Sequence, residues 1–443
     1  MPRHLPPGKA RALGGSLARA GVRIVLGLLG VGMGVGVGVG AAPGAAPGAA
    51  PSAAAGAGAS AMPAATSVAQ GRYLAAAGNC LSCHTRSGGA PFAGGLAFET
   101  PFGTLYSTNI TPDVQTGIGS WSVADLRRAM QQGTARGGAH LYPAFPYTSF
   151  TKVTDADIAA LHAYLGTLPA VRYRPPTNGM LFAMRWPMSL WNALFFKPGR
   201  LRYNPSQSAE WNRGAYLVEG LGHCGACHTP RNLLLAEQAD RAYYGGTLRA
   251  AAAGHQVRRW SAVDLTTSAR GLGSWSIAEL TQYFQTGVSA RAGTFGPMNE
   301  VIVNSLSLLA PADLRAMAVY LKSLPARPYT DEIVSPQLVS QGAPIYKARC
   351  EKCHGRSGRG GLFGGPPLAG SAVVQAEDPA SLINITLHGP DTPRGVAYGA
   401  WETMPAYGDV LDDAQVAAVS NFVRGSWGNR AGAVTSKAVL AQR

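Results

Sequence analysis

The six cysteines of this chain fall in three pairs, and each pair is followed directly by a histidine. Cys80, Cys83 and His84 stand in CLSCH, Cys224, Cys227 and His228 in CGACH, and Cys350, Cys353 and His354 in CEKCH. Two thiols and an imidazole so close together suit a zinc shell, a redox disulfide or covalent attachment of haem. A zinc ribbon needs a second C-x-x-C roughly 15–20 residues away. Here the motifs begin 144 and 126 residues apart, at 80, 224 and 350. A thioredoxin-like pair needs a surrounding βαβ pattern, which the sequence does not carry. Structural disulfides leave the repeated histidine unexplained. The pattern therefore points to three covalently bound c-type haems. In each, two thiols add across the vinyl groups of one porphyrin, and the next residue places an imidazole nitrogen under the iron.

A proximal histidine normally donates its second ring nitrogen to a backbone carbonyl, which fixes and tunes it. Pro91, Pro230 and Pro366, in the loops after the motifs, are the candidates for shaping that carbonyl. On the distal side a methionine would raise the potential and close the iron to other ligands. Met404 in AWETMPAYGD and Met298 in TFGPMNEVIVNS lie before the last helix of their units and fit that role. The first unit reads YPAFPYTSF, with Phe145 where the methionine should be. Its candidates are Met130, Met180, Met184, Met188 and His140. Met130 reads as core. Met188, in MRWPMSLWNALFF, is favoured, with His140 or an open site as the alternatives. His4, His162, His223, His255 and His388 have no counterparts across the units and read as ordinary polar residues.

The elements around the motifs repeat. GRYLAAAGNCLSCHT (71–85), GAYLVEGLGHCGACHT (214–229) and GAPIYKARCEKCHG (342–355) each read as a short helix running into the haem turn. GIGSWSVADLRRAMQQG (117–133) and GLGSWSIAELTQYFQTG (271–287) open on S-x-x-D and S-x-x-E, the signature of a capping box. DPASLINITLHG (378–389) stands in the same place of the third unit. An amphipathic helix closes each unit, at 154–168, 310–324 and 411–425. The expected fold is all-α: three tandem domains, each wrapped around one haem. The expected bounds are 70–170, 213–328 and 335–428, with an apolar connector at 171–212 and a tail at 429–443.

The formal net charge is +15, and Arg3, Lys9, Arg11, Arg19 and Arg23 contribute to it before any acid occurs. This basic stretch precedes an apolar run (IVLGLLGVGMGVGVGVG) and small residues, which reads as an export signal. With the Ala/Pro/Gly stretch that follows, it makes residues 1–69 a signal peptide and linker. The remaining basic residues are scattered without interleaved aromatics, which excludes a dedicated nucleic-acid groove. They suit a membrane surface or an acidic partner. Residues 179–196 are unusually apolar. Packing between domains is the plain reading, and docking on a membrane or a partner is the sharper one.

The three motifs, together with LYPAFPYTSF, WNALFFKPGR (191–200) and GPMNEVIVNS, resemble the tri-haem cytochrome c subunits of membrane-bound bacterial dehydrogenases. The resemblance covers about residues 70–428. It implies a non-catalytic electron-transfer subunit at the periplasmic face of the inner membrane. It also implies a catalytic partner of flavin, quinoprotein or molybdenum type, and ubiquinone or a terminal oxidase as acceptor. A haem enzyme with an open, peroxidase-like iron is the alternative, motivated by Phe145.

Overall fold

The computed structural model describes residues 64–443 apart from 181–184, 186, 252–256, 331, 362–363 and 392–400. The proposed export signal, His4, His255 and Met184 lie outside the described residues. The described part is one compact unit.

Its first third opens with helix α1 (Ala64–Ala77), which runs into the one-turn helix α2 (Cys80–Cys83). Helices α3 (Val123–Gln132), α4 (Tyr147–Phe150) and α5 (Asp155–Leu165) follow. The connector carries α6 (Pro187–Phe195). The middle third repeats the plan with α7 (Ala209–Tyr216), α8 (Gly225–His228), α9 (Ile277–Thr286), α10 (Met298–Asn304) and α11 (Pro311–Leu321). The last third has α12 (Pro336–Arg349), α13 (Glu351–His354), α14 (Ala380–His388), α15 (Asp413–Gly425) and α16 (Ser436–Leu440). The capping boxes read from the sequence form: Ser122 with Asp125 starts α3, and Ser276 with Glu279 starts α9.

In each third the first helix crosses a later one, α1 with α5, α7 with α11 and α12 with α15, and a glycine makes the crossing possible. A Cβ on Gly71 would lie 1.9 Å from the Ala160 carbonyl oxygen, one on Gly214 1.9 Å from that of Ala316, and one on Gly342 2.0 Å from that of Ala418. No side chain fits at such distances. The segment from Gly214 to Cys224 is one residue longer than that from Gly71 to Cys80. A π-turn over Leu217–Leu221 absorbs the extra residue, so both crossings feed the haem turn alike.

The glycine-rich loops are not purely irregular. Strands β1 (Ala97–Thr100) and β2 (Gly103–Tyr106) form a hairpin, with β3 (Gly179–Met180) added at the β2 edge. Strands β4 (Gly246–Ala251) and β5 (Val257–Ala262) pair antiparallel, with Gly246 opposite Ala262. A third small ladder joins β6 (Val288–Ser289) to β7 (Ala292–Gly293). The fold is thus largely helical, with hairpins where only loops were expected.

The first and second thirds share one hydrophobic core, in which Leu74 and Leu161 join Leu217, Leu221 and Leu314. Their polar contacts are reciprocal. Tyr73 donates to Asp313 (2.6 Å) and accepts from the Ala310 amide (3.1 Å). Tyr216 likewise donates to Asp157 and accepts from the Thr154 amide (3.1 Å). The last third has its own small cores. It docks on β5 through polar groups: the Ser261 amide donates to Ser381 Oγ (3.0 Å), and Asn384 donates to the Arg259 carbonyl (2.7 Å). Residues 429–443, set apart in the sequence as a tail, pack into this last third. Val434 and Val439 are buried in its core, and Gln442 reaches the Arg259 carbonyl at 3.0 Å. Among the described residues, no helix is long and apolar enough to cross a membrane.

Candidate functional site

Each C-x-x-C-H motif closes one helical turn. The histidine amide donates to the carbonyl of the first cysteine: His84 to Cys80 at 3.0 Å, His228 to Cys224 at 2.9 Å and His354 to Cys350 at 2.9 Å. None of the six cysteines is joined in a disulfide. The carbonyl of each histidine accepts from a glycine amide: Gly94 (2.7 Å), Gly245 (2.9 Å) and Gly360 (2.9 Å). These three glycines have φ of 76°, 86° and 72°, which disfavours any side chain there.

The rings are held as well. Nδ1 of His84 lies 2.7 Å from the Thr108 carbonyl oxygen, that of His228 2.7 Å from Val263 and that of His354 2.8 Å from Pro366. A carbonyl only accepts, so Nδ1 carries the proton and Nε2 keeps a lone pair for a metal. Desolvation pulls all three rings below the ordinary imidazole range, against the opposing effect of these hydrogen bonds. Each ring is therefore neutral at pH 7, as a ligand must be. Burial pushes the Cys80 and Cys224 thiols up to about 12, and Cys83 and Cys350 to about 11.

Of the prolines expected to shape the anchoring carbonyl, only Pro366 is in place; Pro91 and Pro230 are not. The reason is the hairpins. In the first two units a hairpin leaves the motif and returns, and the anchor follows its second strand: Thr108 after β2, Val263 after β5. The third unit has no hairpin among its described residues there, and the anchor comes 12 residues after the histidine rather than 24 or 35.

The methionine candidates are placed as follows. Met298 opens α10, half-buried against the shared core. Its segment is brought beside β5, where a Cβ on Gly296 would lie 2.6 Å from the Trp260 ring. The segment carrying Met404 lies along the third motif: Tyr407 donates to the Arg349 carbonyl (2.8 Å), and the Glu402 amide to the Gly364 carbonyl (3.2 Å). Met188 sits in the first turn of α6. Tyr147 holds that helix against residues 142–150 by donating to Asn192 (2.6 Å). His140 pairs through Nδ1 with Asn192 Nδ2 at 3.3 Å. Met130 is buried in the shared core and Met180 is in β3. Phe145 packs on Phe150, with ring centroids 5.2 Å apart.

Sequence reasoning passed over several residues. His223, read as an ordinary polar residue, holds a left-handed backbone just before Cys224 and packs edge-on against Phe150, ring centroids 5.6 Å apart. Asn79 holds the equivalent conformation before Cys80. That equivalence in position was the available signal. Trp260 Nε1 and Arg258 Nε are buried donors with no hydrogen-bond partner. Their strand ends beside the His228 anchor, so they suit the carboxylates of a porphyrin at that site. Among the described residues, no cluster of three or more His, Cys, Asp or Glu side chains is arranged to hold a metal ion by itself. The donor set at each motif, two thiols and one ring nitrogen, fits a haem instead.

This is the geometry of c-type haem attachment. The family "Cytochrome c" matches residues 68–169, and "Cytochrome C oxidase, cbb3-type, subunit III" matches residues 337–423. Three relatives are similar along most of this chain. The gluconate 2-dehydrogenase cytochrome c subunit of Pantoea cypripedii is 41% identical, over 85% of this chain and 89% of its own. The alcohol dehydrogenase (quinone) cytochrome c subunit of Gluconacetobacter polyoxogenes is 38% identical, over 85% and 84%. A nicotinate dehydrogenase component of Pseudomonas putida is 44% identical over 82% of this chain, which spans only 30% of that longer protein. The chain belongs to the cytochrome c subunits of dehydrogenases and carries covalent haem c. None of these relatives is named a peroxidase.

Proposed function

We propose that the chain is an electron-transfer subunit with three haems c, one in each of three tandem cytochrome c domains at 70–170, 213–328 and 335–428. The observation that carries this reading is the threefold recurrence of one arrangement: a one-turn C-x-x-C-H helix whose ring Nδ1 is tied to a backbone carbonyl. Cys80 and Cys83, Cys224 and Cys227, and Cys350 and Cys353 are the attachment thiols, and His84, His228 and His354 the proximal ligands. Met298 and Met404 are the distal ligands of the second and third sites, and Met188 that of the first.

Each haem, when bound, supplies a one-electron iron couple. The chain's residues do the rest. The anchored rings hold Nε2 in a fixed direction, and the buried β5 donors suit the porphyrin carboxylates. The shared core of the first two domains and the polar seam to the third hold the sites in one body. No acid, base or nucleophile is required. Electrons enter from a catalytic dehydrogenase partner and leave to ubiquinone or a terminal oxidase, at the periplasmic face of the inner membrane after export. The names of the relatives support the dehydrogenase partner, and the signal-like N-terminus supports export.

The test is mass spectrometry of the mature chain, expressed with cytochrome-maturation machinery. The expected result is the added mass of three haems and loss of the N-terminal segment. A mature chain with two haems or fewer overturns the assignment.

A further inference from the structure

The three proximal anchors share a backbone role but differ in the residue that follows the anchoring carbonyl. After Thr108 comes Asn109, after Val263 comes Asp264 and after Pro366 comes Pro367. Asn109 and Asp264 sit in the same turn. Oδ1 of Asn109 accepts from the Thr111 amide (2.9 Å), and Oδ1 of Asp264 from the Thr266 amide (2.6 Å). Both are buried, 2% and 6% exposed. Their other side-chain atoms face opposite chemistry. Asn109 Nδ2 donates to the Val171 carbonyl (2.8 Å), the Tyr173 carbonyl (3.1 Å) and Thr116 Oγ1 (3.1 Å). Asp264 Oδ2 accepts from Ser268 Oγ (2.7 Å) and the Tyr329 hydroxyl (2.6 Å). A group that receives three donors and offers none is a carboxylate, so the second site carries a buried negative charge where the first has a neutral amide and the third has a proline ring.

Resting on the three-haem reading, we propose that Asp264 is a positioning residue that lowers the reduction potential of the second haem, acting through the Val263 carbonyl and the His228 ring. Ferric haem carries one more positive charge than ferrous haem, so a buried anion on the proximal side favours the oxidised form. The carboxylate also fixes the turn that presents the Val263 carbonyl to Nδ1. Gly271 closes the pocket, since a Cβ there would lie 3.0 Å from the Asp264 carboxyl carbon. The nearby cations temper the field: the Arg270 and Arg327 guanidinium groups stand 4.3 and 4.6 Å from the centre of the Tyr329 ring, and Arg327 is also paired with Glu377. The three sites are thereby made unequal by residues outside the axial ligand set.

The experiment is spectroelectrochemical titration of the intact, haem-loaded chain and its D264N variant, each first weighed by mass spectrometry. D264N should move one of the three midpoints upward, the same component that Met298→Ala lowers. The shift should correspond to roughly a tenfold change in the oxidised-to-reduced ratio, about 59 mV for a one-electron couple. Unchanged midpoints in a protein that weighs three haems overturn the role of Asp264 and leave the three-haem reading intact. A mass showing fewer than three haems overturns the reading itself. Should D264N lose its fold, D264S carries the same test at the same site, because a serine hydroxyl can still accept from the Thr266 amide without the charge; the same midpoint must rise, and no rise overturns the proposal.

Discussion

At the scale of single residues, the proposed distal ligands and one buried carboxylate give the sharpest tests. On the proposed ligation, removing Met298 or Met404 deletes a soft axial donor that favours ferrous iron. Met298→Ala and Met404→Ala should each lower one midpoint by a large step and leave the others nearly unchanged, as read by redox titration. Met188→Ala should do so for a third component; a titration curve matching the parent would move the first site's ligand elsewhere, His140 first. Asp313 gives a pH test. Burial works to raise its carboxyl, but hydrogen bonds from Arg213 and Tyr73 outweigh burial and hold it below the ordinary value of 3.8. A carboxylate depressed in the folded state contributes fully above its unfolded pKa and loses that contribution as pH falls through the folded value. Asp313→Asn should therefore cost about 1–2 kcal/mol at neutral pH. The difference from the parent should shrink below about pH 4, as measured by denaturant melts across pH.

At the scale of elements, the helix crossings decide stability. Replacing glycine by alanine inside a helix ordinarily stabilises it by about 1 kcal/mol. At Gly71, Gly214 and Gly342 the added carbon would sit against a facing carbonyl oxygen, at 1.9–2.0 Å. The helices must separate, and overpacking of this kind costs about 1–3 kcal/mol. Each alanine variant should lower the melting temperature and reduce haem incorporation in its own unit. A neutral or raised melting temperature would count against the close crossing. The capping boxes are smaller levers: Ser122→Ala or Ser276→Ala should cost about 1 kcal/mol.

At the scale of the whole molecule, the units are joined unequally. The first two share an apolar core and exchange tyrosines across their boundary, whereas the third has separate cores and a polar seam. Calorimetry of the holoprotein should show the first two melting as one cooperative transition and the third as another. Val439→Asp, at the buried centre of the C-terminal helix, should shift only the latter.

The sequence by itself determined the chemistry and the local grammar. The C-x-x-C-H spacing needs only one helical turn to bring two thiols and an imidazole together, and capping boxes act within four residues, so both survive any tertiary arrangement. The crossing glycines were visible as repeats, but their purpose was not, because it depends on helices far apart in the chain. Tertiary structure alone decided which carbonyl grips each histidine, since a hairpin can bring back any residue of its loop. It also decided that residues 429–443 belong to a core, because burial of Val434 and Val439 depends on what surrounds them rather than on how apolar the segment is.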